Sequence, residues 1–99
     1  LNDLQQQIKQ HKGQVIYLDF WASWCGPCRK SFPWLEQIKK EYSQRGLYVI
    51  SINLDNNPNL AKKFLREIPV SFSVIYDPEG VIAEKFQLKG MPSGFILNR

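Results

Sequence analysis

The chain has 99 residues, 43% of them hydrophobic, 13% aromatic and 22% charged, with a formal net charge of +4. That length suits a single domain, 1–99, burying about 60–70% of its unfolded surface, with no need of a metal or a disulfide scaffold to fold. Two cysteines are too few for a disulfide-dense secreted scaffold. The basic residues are dispersed, with Arg29-Lys30, Lys39-Lys40 and Lys62-Lys63 the only adjacent pairs, and form no aromatic-interleaved stripe, so nucleic acid is not an expected partner.

Asn2-Asp3 is expected to cap a short helix with Leu4 and Ile8 on one face, ended by Lys12-Gly13. Residues 15–21 (Val15, Ile16, Tyr17, Leu18, Asp19, Phe20, Trp21) are almost all β-branched, aliphatic or aromatic. Such a run fits a central strand buried on both faces, the pattern of a parallel sheet. Ala22-Ser23-Trp24 leads into a helix over 25–44, with Phe32, Leu35, Ile38 and Tyr42 at helical spacing, a kink at Pro33 and closure at Gly46. Residues 47–54 read as a second buried strand and 55–59 as a loop, with Pro58 suited to a first helical turn. Leu60, Ala61, Phe64, Leu65 and Ile68 mark a second amphipathic helix, and 72–76 a third strand. Asp77-Pro78-Glu79-Gly80 has turn chemistry. Residues 81–86 are ambiguous between helix and strand, 90–94 form a loop, and 95–97 start a strand. Strands alternating with helices predict an α/β fold with right-handed crossovers, and chemistry at the carboxyl ends of the strands.

Both cysteines, Cys25 and Cys28, fall where the first strand becomes a helix. A thiolate, not a thiol, attacks a disulfide, and the N–H groups and positive dipole at a helix N-terminus favour the anion on Cys25. Cys28, one turn later, brings its sulfur within reach, and Pro27 restricts the chain between them. The spacing therefore points to disulfide exchange: Cys25 forms a mixed disulfide and Cys28 resolves it. Zinc would need about four ligands, whereas the chain offers two Cys and one His, and that His11 is remote in sequence and reads as an exposed helix-end residue. Haem attachment would want histidine at the position of Arg29. An inert disulfide would close too short a loop to stabilise much, and a copper(I) carrier is a further alternative because soft thiolates suit that ion. Asp19 stands inside the apolar strand, where a carboxylate is costly unless paired or protonated. Either it makes a local hydrogen bond or reaches a sheet edge, or it is a buried carboxyl of raised pKa that takes the proton from Cys28.

The run Leu18-Asp19-Phe20-Trp21-Ala22-Ser23-Trp24-Cys25-Gly26-Pro27-Cys28-Arg29-Lys30, with Pro33 five positions after Cys28, closely resembles the active-site segment of the thioredoxin superfamily. The resemblance implies that Cys25 is the exposed nucleophile, that Cys28 resolves, and that Asp19 assists proton transfer. It also implies a cis-proline facing the disulfide. Ile68-Pro69-Val70 would give ordinary thioredoxin spacing. Gly90-Met91-Pro92-Ser93-Gly94-Phe95 resembles the corresponding segment of the TlpA/ResA-like branch and is preferred. Residues 60–76 then fit the helix and strand that this branch inserts.

Two residues depart from the pattern: Ser51 takes the place usual for a lysine near the buried Asp, and Ser93 that of a threonine. The fold implied is thioredoxin-like, a central mixed sheet flanked by helices, apparently lacking its C-terminal strand and helix because the sequence stops at Arg99. Trp24, Gly26, Pro27, Met91 and Pro92 would bind an extended polypeptide. No cofactor beyond the redox-active Cys25–Cys28 disulfide is implied, and no metal. Expected partners are proteins with disulfides or thiols and an upstream reductase or membrane electron donor, served by a monomer. The setting implied is periplasmic or otherwise extracytoplasmic, with an N-terminal tether absent from a sequence that begins at Leu1; a cytoplasmic thioredoxin is the neighbouring alternative.

Overall fold

A computed structural model describes residues 2–97. The elements, in order, are α1 (Asn2–Gln10), β1 (Val15–Trp21), α2 (Gly26–Tyr42), a 3-10 turn (Ser43–Arg45), β2 (Leu47–Asn53), α3 (Pro58–Glu67), β3 (Ser73–Tyr76), α4 (Val81–Lys85) and β4 (Ser93–Leu97). One four-stranded sheet has the order β3-β2-β1-β4. β1 runs parallel to β2, from Val15 opposite Leu47 to Trp21 opposite Asn53, and β2 runs parallel to β3. β4 is antiparallel to β1, with Phe20 opposite Ser93 and Ile16 opposite Leu97. The sheet is therefore mixed, and β1 lies inside it.

Successive strand residues point to opposite faces, so the apolar run of β1 feeds two cores. Ile16, Leu18 and Phe20 join Ile50, Ile52 and Ile75 on one face, covered by Leu4 of α1 and Ile82 of α4. Trp21 and Val49 lie on the other face, covered by Cys28, Phe32 and Leu35 of α2 and by Ala61 and Phe64 of α3. Phe32 is the hub of this second core. Its ring meets Trp21 at 4.9 Å, Phe64 at 5.5 Å and Phe72 at 5.4 Å between centroids, all edge-on. Such pairs add about 0.5–1.5 kcal/mol each beyond the area they bury.

Local chemistry sets the helix ends. Pro27 occupies the first turn of α2, and Gly46 closes the following turn in the left-handed region at φ 93°. The Asn57 side chain accepts from the Asn59 N–H at 3.0 Å and Pro58 opens α3. Asp77 makes the ambiguous 81–86 segment a helix. Its carboxylate accepts from the backbone N–H groups of Val81, Ile82 and Ala83 at 2.9, 3.0 and 3.0 Å, satisfying three donors that a helix start leaves unpaired.

Several boundaries and faces differ from the sequence reading. Cys25 caps α2 from outside it, and the helix stops at Tyr42 because the last residues tighten into the 3-10 turn. Tyr42, Leu60 and Ile68 match the apolar spacing but are exposed, since they sit at helix margins beyond the reach of the sheet. His11 is half-buried rather than exposed: its ring stacks on Tyr48 at 3.5 Å. The cap assigned to the Asn2 side chain, and the chain end at Arg99, lie outside the described residues.

Candidate active site

The carboxyl ends of β1 and β2 build the site. Beyond Trp21 the chain turns through 22–24, where the Cys25 N–H returns to the Ala22 carbonyl at 3.1 Å. Asp55, one residue past Leu54, holds this turn from below. Its carboxylate accepts from the Ser23 N–H and Ser23 hydroxyl, both at 2.9 Å, and from the Asn53 amide at 2.8 Å. The Arg29 Nε donates to the Ser23 carbonyl at 3.0 Å while its guanidinium lies over the Phe64 ring. Three elements thus clamp the segment that leads to the first cysteine.

Cys25 has extended backbone angles, φ −89° and ψ 103°, and is the N-cap of a 17-residue helix. Its Sγ accepts from the Cys28 N–H at 3.2 Å. The first turn of α2 carries no acidic residue to offset the helix dipole. Cys25 and Cys28 are joined as a disulfide, with Cα atoms 5.2 Å apart. Cys28 has no exposed surface and Cys25 only 6%. Cys25 is therefore less open than the resemblance implied, because its sulfur turns back onto the helix start as a cap.

Trp24 is 70% exposed, and Gly26 and Pro27 are exposed beside it. A Cβ at Gly26 would meet open space, so no close approach requires glycine there. Among the described residues the cis peptide bond is at Met91–Pro92, and Ile68–Pro69 is not cis. Because β4 is antiparallel to β1 and starts at Ser93 opposite Phe20, Met91–Pro92 lies beyond the carboxyl end of β1, where α2 also begins. Met91 is half-buried and packs against both cores, including the one that holds Cys25 and Cys28.

Asp19 is 4% exposed, and its Oδ2 makes no hydrogen bond among the described residues. Burial without a charged partner raises its pKa from the ordinary 3.8 to about 7. The sheet-edge alternative for Asp19 fails because β1 is an inner strand, and Oδ2 makes no local hydrogen bond among the described residues. Ser51 stands directly opposite on β2, but its hydroxyl donates to the Ser73 carbonyl at 3.0 Å. Gly94 stands opposite on β4. Tyr17, two residues earlier on the same face, also has a raised pKa, from burial first and then from the Asp19 charge.

The sequence reading gathers the cysteines, Asp19, Trp24, Gly26, Pro27, Met91 and Pro92, and all lie at or lead to this end of the sheet. It leaves out Asp55 and Tyr17. The Asn53-Leu54-Asp55 spacing at a strand end is the trace of the first, since an Asx side chain readily bonds two residues along. The i, i+2 placement of Tyr17 and Asp19 is the trace of the second. Among the described residues no three or more His, Cys, Asp or Glu converge on a metal-holding position. No described helix is long and apolar enough to cross a membrane.

The profile of the Redoxin family matches residues 2–99. The thiol-disulfide oxidoreductase ResA of Bacillus subtilis strain 168 is 25% identical over 97 residues, which are 98% of this chain and 54% of that protein. ResA of Bacillus thuringiensis subsp. konkukian is 27% identical over 93 residues, covering 94% and 54%. The chain thus spans about half the length of the curated relatives it matches. Among solved structures, a Chlorobium tepidum protein assigned as thiol:disulfide interchange protein DsbE superposes with a TM-score of 0.89 at 46% identity, covering 93% of this chain and 65% of that one. StoA of Bacillus subtilis superposes at 0.79 with 28% identity, covering 88% and 67%. The matched profile and the shared mixed sheet agree with the Trp24–Cys28 segment: the chain belongs to the Redoxin family and is a ResA-like member of the thioredoxin superfamily.

Proposed function

We propose that this chain is a thiol–disulfide oxidoreductase that exchanges electrons with protein disulfides through Cys25 and Cys28. The observation that carries the reading is the position of Cys25 Sγ at the N-cap of α2, accepting the Cys28 N–H and bonded to Cys28. The same N–H and the helix dipole would stabilise a Cys25 thiolate once the pair is reduced.

The disulfide form is the oxidised end of the cycle. Starting from the reduced pair, the Cys25 thiolate attacks one sulfur of a target disulfide and expels the other as a thiolate. Asp19 accepts the proton of Cys28, whose sulfur then attacks Cys25 Sγ and expels the second target thiolate. Two electrons pass to the target as the Cys25–Cys28 bond forms; the Cys28 proton is left on Asp19, and the two target thiolates are protonated from Asp19 and from solvent. A proton acceptor titrating at about 7 suits this step at neutral pH, where an ordinary carboxylate would be too weak a base. Trp24, Gly26, Pro27, Met91 and Pro92 would receive an extended segment of the target beside the sulfurs, Met91 through its backbone.

The kinship with ResA supports an extracytoplasmic setting and the reducing direction, with oxidised thiols such as those of cytochrome c maturation as targets and an upstream reductase or membrane electron donor. No cofactor besides the cysteine pair takes part in this scheme. Reduction of insulin with dithiothreitol tests the activity, and trapping of a mixed disulfide by Cys28→Ser tests the order of attack. The expected result is activity lost in Cys25→Ser and a trapped adduct on Cys25. Full activity in Cys25→Ser would overturn the mechanism. Inactive wild type that binds copper(I) through both sulfurs would replace exchange with metal carriage.

A further inference from the structure

The β4 position opposite Asp19 carries no side chain, and Met91, just before β4, packs into the same layer further along. The residue directly opposite on that strand is Gly94, and the next on the same face is Ile96, opposite Tyr17. Tyr17 fills the gap. An alanine Cβ built at Gly94 would overlap the Tyr17 phenol, Oη and Cζ included, so the ring lies directly against the Gly94 Cα. From the α2 side the ring meets Trp34 edge-on, with centroids 5.8 Å apart and planes at 77°. Held between a helix and a neighbouring strand, the phenol leans diagonally across the ladder toward the carboxyl two residues along.

We propose that Tyr17 is a positioning residue for the exchange reaction: laid across Gly94, its ring closes the β4 flank of the Asp19 carboxyl and excludes water from it. The proposal rests on the reading of Asp19 as proton acceptor and names what keeps that acceptor dry. Glycine at 94 is then a matter of space, since any side chain there displaces the ring.

The other neighbours do not take this role. On β2, Ser51 is committed to the Ser73 carbonyl and Asn53 to Asp55, which itself accepts three hydrogen bonds. α2 contributes Cys28, Phe32 and Leu35 to this layer, and α3 contributes Ala61 and Phe64, so neither brings a buried charge. β3 contributes Val74 and Tyr76. Among the described residues, the titratable groups packed into this layer are therefore Tyr17, Cys25 and Cys28 when reduced, Tyr76 and Asp55, with Arg29 over the Phe64 ring and Lys62 over the Tyr76 ring at its margin.

The test is a carboxyl-carbon NMR titration of Asp19 in the oxidised protein, for wild type, Tyr17→Phe, Tyr17→Ala and Gly94→Ala. Tyr17→Phe keeps the ring and is expected to leave the Asp19 midpoint within a few tenths of a pH unit. Tyr17→Ala, and independently Gly94→Ala, are expected to lower it by about one pH unit or more, a tenfold or greater loss of proton affinity. An unchanged midpoint in both alanine variants would overturn the proposal. So would a drop in Tyr17→Phe equal to that in Tyr17→Ala, since the hydroxyl rather than the ring would then be responsible. The titration is independent of turnover. If Tyr17→Ala shifts Asp19 but Asp19→Asn resolves the mixed disulfide at the wild-type rate and pH dependence, the shield stands and the proton-acceptor reading falls.

Discussion

The Asp19 carboxyl should make this protein less stable as pH rises, by an amount that the structure sets. The folded chain holds the Asp19 proton up to about pH 7, whereas the unfolded chain releases it near 3.8. A group whose folded pKa is raised contributes most to stability below the unfolded value. That contribution drains away as pH climbs through the interval and is gone above the folded value. At about 1.4 kcal/mol per pH unit, the interval from 3.8 to about 7 corresponds to about 4 kcal/mol. This is a large fraction of the roughly 5–15 kcal/mol that hold a small domain together.

Asp19→Asn removes the titration while keeping the shape. Urea unfolding of the oxidised protein between pH 4 and 8 keeps the cysteines out of the measurement. Wild type is expected to lose about 4 kcal/mol more than the variant across that range. With a slope of about 1–3 kcal/mol per molar urea, the midpoints should diverge by more than about 1 M. The asparagine amide inherits an unpaired acceptor site, so at pH 4 the variant should be no more stable than wild type. The sign of the comparison therefore reverses with pH, which a general packing defect would not produce. Parallel stability curves for the two proteins from pH 4 to 8 would refute the assignment of a raised pKa to Asp19.

Three further substitutions read out other parts of the frame. Asp55→Ala deletes the acceptor for three hydrogen bonds to Ser23 and Asn53 and should cost about 2–4 kcal/mol in urea unfolding, together with slower insulin reduction as the turn before Cys25 loosens. Asp77→Ala removes the acceptor for three N–H groups of α4 and should cost about 1–2 kcal/mol with no change in exchange rate, because α4 packs on the opposite face from the cysteines. Phe32→Ala empties the centre of the aromatic cluster and should lower stability by about 3–5 kcal/mol, measured by thermal or chemical unfolding.

The strands and the cysteine site were legible in the sequence because each rests on a local rule. The 15–21 run is apolar at both parities, so an inner strand is the one element that hides all of it, and Trp21 indeed ends β1. Cys25-Gly26-Pro27-Cys28 needs only a strand before it and a helix after it. Less legible was anything decided across the sheet. Tyr42, Leu60 and Ile68 keep helical spacing, but how far a helix overhangs the strands is set by tertiary packing rather than by period. Residues 81–86 carry no decisive periodicity, and the deciding partner, Asp77, lies outside the segment. Asp55 and Tyr17 look ordinary in sequence. Their roles come from Ser23, 32 residues away in the chain, and from Gly94 on a strand that pairs from the opposite direction.

The same end of β1 carries two opposite demands, and their separation along the chain explains the architecture of the site. The sulfur proposed to attack, that of Cys25, needs an environment that favours charge, which unpaired N–H groups at a helix start supply without burying any ion. As the proposed proton acceptor, Asp19 needs an environment that disfavours charge, or it would release its proton far below neutral pH. Strand and helix divide these tasks. Asp19 stays in the sheet interior, between Ser51 and Gly94, where a neutral carboxyl is preferred. Six residues later Cys25 has left the sheet and stands at the N-cap of α2. Moving either residue by one position would reverse its surroundings. Asp19 would turn to the face lined by Leu18 and Phe20, remote from Cys28, and the Cys25 sulfur would lose the Cys28 N–H. In the proposed mechanism the spacing from Asp19 to Cys25 therefore matters as much as the spacing between the two cysteines.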